Sequence, residues 1–220
     1  HLLSRRHRQM CIRDRNLFYD YEGQKQDLIR YMRETENQLQ ILLCELAAYL
    51  HNKNMEINVW DRIIAFEGRM HEFIKAAYDY QDNTFHSHPG YYIDYFEMRL
   101  AQLQVLHNLH YEIKKIRKMP KQALVIADYI MYMADYVVEM NIPDQQIEKL
   151  EEISEQMKQE ELPKTREEFE GRALLYHILM DLEEFLVYKK RFVNGLDEKK
   201  LRIYWKQEME QKDSANELQK

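Results

Sequence analysis

The chain predicts an all-α protein, an antiparallel bundle of about six helices, and three observations carry that reading. Apolar residues recur at i, i+3, i+4 and i+7 through most of its 220 residues, the stripe along which a helix buries one side. Only 5 Gly and 4 Pro interrupt that length, so turns are few and the elements between them are long. No stretch alternates β-branched and polar residues with the period of two that a half-buried strand needs. A chain of this size makes one domain with a real core.

Helix one is expected from about Gln24 to His51. Its face is Leu28, Met32, Thr35, Leu39, Leu42, Leu43, Leu46, Tyr49 and Leu50, and Asn52, Lys53 and Asn54 end it. Asn58 is placed as the cap of helix two, with Trp60, Ile63, Ile64, Met70, Ile74, Ala77 and Tyr78 as its seam. A polar loop through Asp82, Asn83, Thr84 and the His86–Gly90 stretch leads to helix three, about Tyr91 to Lys118. Tyr92, Tyr95, Phe96, Leu103, Leu106 and Ile113 form its seam. Pro120 breaks that helix and opens helix four, which runs to about Met140 on Ile126, Ala127, Ile130, Met133, Ala134 and Val137. Pro143 suits the first turn of helix five, whose seam is thinner: Ile147, Leu150, Ile153 and Met157.

Helix six starts with a signal that reads letter by letter. Thr165 followed by Glu168 makes a capping box, the Thr oxygen accepting from the N–H three residues on and the Glu reaching back to the cap's own N–H. Pro163 keeps the residue before it out of the helical region. Leu175, Ile178, Leu179, Leu182, Phe185, Leu186, Phe192, Val193 and Leu196 then line one side, and Gly195 is read as a left-handed stop. Beyond Asp197 the chain is charged, with Leu201, Tyr204 and Trp205 holding one or two more turns.

Charge divides the chain. Residues 1–15 hold five arginines against Asp14, a net of +4, so the remainder carries −10 of the total −6. A basic arm on an acidic body suits an anionic-lipid or nucleic-acid tether. The string Arg8–Arg15, RQMCIRDR, instead resembles translated sequencing-adapter read-through, so residues 1–15 are read as a non-native, disordered tail. The division is then a tail at 1–15, a helical-bundle domain at 16–196 and a charged, partly helical tail at 197–220. The acidic body argues against nucleic acid as a partner. The longest apolar-rich window, Ala123 to Val138, is broken by Asp128 and Asp135 and falls short of the ~20 apolar residues of a bilayer span. Cys11 and Cys44 give neither a disulfide framework nor metal spacing, and Cys44 reads as a small apolar filler.

No reactive constellation emerges. None of the nine histidines has a Glu three residues before it, as bundle metal sites require, and His71-Glu72 does not continue to a second His. Ser4, Ser87, Ser154 and Ser214 stand in no nucleophile elbow, and the scattered glycines build no phosphate loop. The reading is a non-enzyme without metal or cofactor. Polar residues on apolar seams are more informative. Arg99 sits between Phe96 and Leu103, and Glu67 and His71 sit between Ile64 and Ile74. A buried charge needs a partner, and for Arg99 the expected one is Glu183 or Glu45. The functional alternative is that Arg99, near Tyr92 and Tyr95, forms a cationic, aromatic-lined spot for an aromatic carboxylate.

The block Leu162, Pro163, Lys164, Thr165, Arg166, Glu167, Glu168, Phe169, Glu170, Arg172, Ala173, His177, Leu179, Glu183, Leu186 and Lys189 resembles the C-terminal domain of the bacterial aromatic acid exporter family. Weaker echoes are Glu45, Ala48, Tyr49 and Leu50, then Tyr95, Phe96, Met98, Arg99 and Gln102. The resemblance covers roughly residues 16–196. It implies a cytosolic helical domain behind transmembrane helices, at the cytoplasmic face of a bacterial plasma membrane. The transmembrane domain of the same protein is then its partner, and a homo-oligomer stays open. Its role would be assembly, regulation or gating, and aromatic carboxylates would be the cargo of the whole protein. Because this position follows the last span, Phe18, Tyr19 and Tyr21 would sit at the headgroup level. The competing readings are a free-standing helical adaptor with an acidic docking surface and a small-molecule sensor built on Arg99.

Overall fold

The computed structural model describes residues 2–51, 59–83 and 90–205, with side chains from Glu22 onward except at 198, 199 and 202. Among the described residues there are seven helices and no strand: α1 (Leu2–Leu50), α2 (Val59–Asn83), α3 (Gly90–Lys115), α4 (Ala123–Ala134), α5 (Asp144–Lys158), α6 (Arg166–Asn194) and α7 (Glu198–Tyr204). The all-α reading holds.

Side-chain pairs give the directions. Arg62 meets Glu45 at 3.1 Å while Arg69 meets Glu34 at 3.1 Å, so numbers rise along α2 as they fall along α1. Phe73 packs on Phe96 and Trp60 on His107, which runs α3 against α2. Gln102 reaches Phe185, and Tyr91 reaches Phe192, which runs α6 against α3. The bundle is antiparallel between these neighbours. α1 packs on α2, α3 and α4, and α6 packs on α3, α4 and α5.

Each helix forms because its apolar stripe finds a covered side. Every expected face residue of α1 from Leu28 to Leu50 is buried except Tyr49, which is partly so. In α2 the stripe is rotated from the expected one. Val59, Ile63, Phe66, Met70, Phe73, Ala77 and Tyr80 are buried, whereas Ile64 and Tyr78 are exposed. Both stripes have helical spacing, and α1 and α3 cover the one with two more phenylalanines. His71 is accordingly exposed and Glu67 half-buried. Asn58 and His86, His88 and Pro89 lie outside the described residues.

Several boundaries move. α1 begins at Leu2 rather than near Gln24, so helical backbone covers the stretch expected to be disordered. No proline interrupts residues 2–24, and their many Arg, Leu and Gln favour helix. α4 ends at Ala134 rather than Met140, because Tyr136 and Val137 donate to Met133 and Ala134 and tighten the chain into i→i+3 bonds. Thr165 caps α6, accepting from the Glu168 N–H at 3.1 Å. Glu168 reaches one residue further than the box predicts, to the Lys164 N–H at 2.9 Å. Gly195 closes α6 with φ −79°, a right-handed conformation. The left-handed stop is unnecessary because a tight turn, Leu196 N–H to Val193 carbonyl, feeds α7 directly. Cys44 is half-buried against the core, and burial pushes its thiol up.

Candidate functional site

α3 positions Tyr91, Tyr95, Arg99 and Gln102 along one buried stripe, at the spacing that stacks side chains on a helix face. Each meets a polar group from another element. Arg99, 1 % exposed, is among the largest fully buried side chains of the molecule. One guanidinium nitrogen donates to Gln102 Oε1 at 2.9 Å, and another lies 3.6 Å from Glu36 Oε1 on α1. Its guanidinium also sits 5.1 Å from the Tyr95 ring centroid, a cation–π contact. The Tyr95 hydroxyl donates to the same Glu36 oxygen at 3.0 Å, and Gln102 passes the chain on to the Phe185 carbonyl of α6 at 2.8 Å.

The second half of the stripe centres on Glu139, in the α4–α5 connection. The Tyr91 hydroxyl donates to its carboxylate, and Lys189 of α6 donates to its backbone carbonyl. The Trp205 indole N–H then donates to Tyr91 Oη at 3.1 Å. Burial raises Glu139 above the usual carboxylate range, while the Tyr91 hydrogen bond works against that shift. Burial likewise pushes the Tyr91 and Tyr95 hydroxyls well up, so both stay protonated donors. Two buried cations, Arg99 and Lys189, thus face two partly buried carboxylates, Glu36 and Glu139. The balance is that of a structural tie among α1, α3, α6 and the α4–α5 connection.

The partner of Arg99 is therefore Glu36, a correction to the expected Glu183 or Glu45. Glu183 is exposed on α6, and Glu45 pairs with Arg62. Nothing in the spacing of α1 singles out Glu36, which stands one residue beyond the seam position Thr35. Tyr92 and Tyr95 do lie near Arg99 on α3, although Tyr92 turns toward Tyr80, with ring centroids 5.6 Å apart. The cavity beside Arg99, Gln102, Gln146 and Lys189 has a volume of about 10 Å³, room for about one water molecule. An aromatic ring does not fit there as the helices stand. Phe18, Tyr19 and Tyr21 lie outside the described side chains.

A larger concavity, about 590 Å³, lies at the bundle end where the α3–α4 and α5–α6 connections meet. Lys118, Pro120, Gln122, Glu160, Thr165 and Arg172 line it, with the two charge signs mixed. Here Arg172 donates to Glu168 at 2.7 Å and to the Glu161 carbonyl at 2.6 Å. Among the histidines, His107 packs edge-on against Trp60 at 4.4 Å. Burial holds the neighbouring His110 below its usual value. No group of three His, Cys, Asp or Glu side chains suited to a metal occurs among the described residues. No helix among them is long and apolar enough to cross a membrane.

The fold and the buried stripe define a class, a helical bundle tied by internal charge. Comparison supplies the family. The model of the "Putative aromatic acid exporter C-terminal domain" matches residues 25–190, and the chain belongs to that family. Similar to it is the uncharacterized protein YqjA of Bacillus subtilis (strain 168), 26% identical over 167 residues. That alignment covers 75% of this chain but 51% of YqjA, so the chain spans about half the length of that relative. The fold is shared with the crystal structure of a "putative membrane protein" from Clostridium difficile 630, at a TM-score of 0.68 and 23% identity. That match covers 76% of this chain and 97% of the other.

Proposed function

We propose that this domain stands at the cytoplasmic face of a membrane exporter and acts on the membrane part through helix packing, as an assembly or regulatory element. Aromatic carboxylates are the cargo this reading gives the whole protein. The observation that carries it is the family match over residues 25–190, in a chain whose described helices hold no membrane span. Transport then needs a part beyond these helices, and the bundle contributes shape and contacts. The stripe from Glu36 to Lys189 supports this, since its buried polar contacts join α1, α3, α6 and the α4–α5 connection.

The test is aromatic acid efflux from cells making the whole parent protein, with and without this domain. The reading predicts that removal changes the rate or its control. Equal efflux from both forms removes the regulatory role. The acidic body favours a second reading, a free-standing adaptor that docks a partner protein. The coding sequence upstream of Asn16 separates the two: several apolar spans of ~20 residues there support the exporter, and a native start near Asn16 supports the adaptor.

A further inference from the structure

We propose that the outer face of α4 is a self-complementary surface, and that it pairs with the same face of a second copy of this chain, the two helices antiparallel about a twofold axis.

The composition of α4 does not suit a helix with an open side. Asp128 is the one charged residue in its sequence, ALVIADYIMYMA, and a helix apolar all round is ordinarily covered all round. Ile126, Ala127, Ile130, Met133 and Ala134 are buried, whereas Leu124, Val125 and Met131 stand 45–48% exposed. Tyr136, Val138 and Ile142 follow them into the α4–α5 connection and are exposed as well. Six of the thirteen large apolar residues exposed among the described residues therefore fall within residues 124–142. Apolar surface gathered in one place marks an interaction site, where the same residues scattered singly would not.

Charge selects the occupant. Lys121, Leu124, Val125, Asp128, Met131 and Asp135 are all exposed and recur at the spacing of one helix face. The stripe opens on a cation and closes on acids, with its apolar residues between. Asp128 also reaches His51 of α1 at 3.2 Å, and Lys149 of α5 borders the stripe, 3.8 Å from the Tyr132 ring centroid. A parallel copy would set Lys121 on Lys121 and acid on acid. An antiparallel copy sets Lys121 of each chain against Asp128 and Asp135 of the other, the self-complementarity that a twofold interface requires. An anionic lipid surface would instead meet Asp128 and Asp135 and be repelled. The twelve residues of α4 run about 18 Å, a short face beside the roughly 800 Å² per partner of a standard interface. The pairing is accordingly weak, with a Kd on the order of 10–100 μM.

Sedimentation equilibrium of the full chain over a dilution series tests this, and a monomer–dimer equilibrium is expected. Met131→Glu, which sets a charge among the apolar residues, should weaken it at least roughly tenfold. Lys121→Glu and Asp128→Lys/Asp135→Lys should each self-associate at least roughly tenfold more weakly, because like charges then face each other. Mixed together, these two charge variants should regain the parent's affinity as a heterodimer. A chain monomeric at about 500 μM overturns the proposal. So does a dimer indifferent to Met131→Glu, or a mixture that associates no better than its components. If Met131→Glu loses its cooperative melt, Val125→Ser takes its place, and an unchanged dimer there overturns the proposal equally. A chain that stays monomeric yet binds phosphatidylglycerol vesicles through Met131 gives the face to lipid and overturns it too. Transport does not enter these measurements, so the dimer and the regulatory role fail separately.

Discussion

Arg99 and Arg172 both direct guanidinium groups at carboxylates, Arg99 at Glu36 on another helix and Arg172 at Glu168 on its own, and the molecule treats them in opposite ways. Arg99 is 1 % exposed in the middle of the bundle, where Glu36, Gln102 and the Tyr95 ring surround it. Arg172 stands at the bundle end, 16% exposed, against Glu168 and the Glu161 carbonyl. The central charge is desolvated on all sides, so removing it strands Glu36 in a place that water reaches poorly. The carboxylates that Arg172 meets, Glu168 and Glu160, are 36% and 43% exposed against 18% for Glu36, so water can reach them when the guanidinium is gone. Charge therefore specifies how α1, α3 and α6 register, while at the end it only trims the connection between α5 and α6.

The largest expected effect breaks the centre. Arg99→Ala should lower unfolding free energy by about 3–5 kcal/mol, as for one partner removed from a buried pair, read from urea denaturation. Gly171→Ala comes next. A Cβ there would meet Pro120 Cγ at 2.9 Å and the Lys118 carbonyl at 3.4 Å, so the α3–α4 turn must shift, at about 1–3 kcal/mol. Thr165→Ala removes the α6 cap and should cost about 1 kcal/mol, with Thr165→Ser restoring most of it. Arg172→Ala should lose under about 1 kcal/mol, the range of pairs that solvent can replace. A loss matching that of Arg99→Ala would erase the contrast between centre and end.

A pH series sharpens the same comparison. Asp181 on α6 is half-buried, and burial, with Glu112 and Glu184 nearby, pushes its carboxyl up from 3.8 to about 6. The folded state therefore holds a proton between pH 4 and 6 that the unfolded chain has released. This contribution is full below about pH 4 and is lost as pH rises through about 6. Asp181→Asn should raise the melting temperature at pH 7.5, and the gap to the parent should close below pH 4. A gap independent of pH would remove Asp181 from the account.

Legibility in the sequence followed how one-sided each helix is. α1 puts nearly all its large aliphatic residues on one face, so its stripe from Leu28 to Leu50 could be read directly and is buried as expected. α2 offers two stripes, one through Ile64, Ile74 and Tyr78 and one through Phe66, Phe73 and Tyr80. Only the neighbours α1 and α3 decide between them. The α6 cap at Thr165 was legible because it is local. Glu36 as the partner of Arg99 was not, since the two are 63 residues apart and several carboxylates on other helices satisfied the same need. The Trp205 bond to Tyr91 spans 114 residues, and a tail rich in charge gave no sign that its last ring returns to the core. Family membership was legible in the Leu162–Lys189 block, whose Lys164 and Arg166 side chains are 81% and 89% exposed. The letters that identify the domain are largely not the letters that build its core.

The claim on which the rest depends is that a buried bridge from Glu36 to Arg99 fixes α1 against α3 as one body. A double-mutant cycle on Arg99→Ala, Glu36→Ala and the pair, followed by urea denaturation, measures it directly. The bridge predicts a coupling of about 1–3 kcal/mol between the two changes. Single losses that simply add, to within about 0.5 kcal/mol, would contradict it.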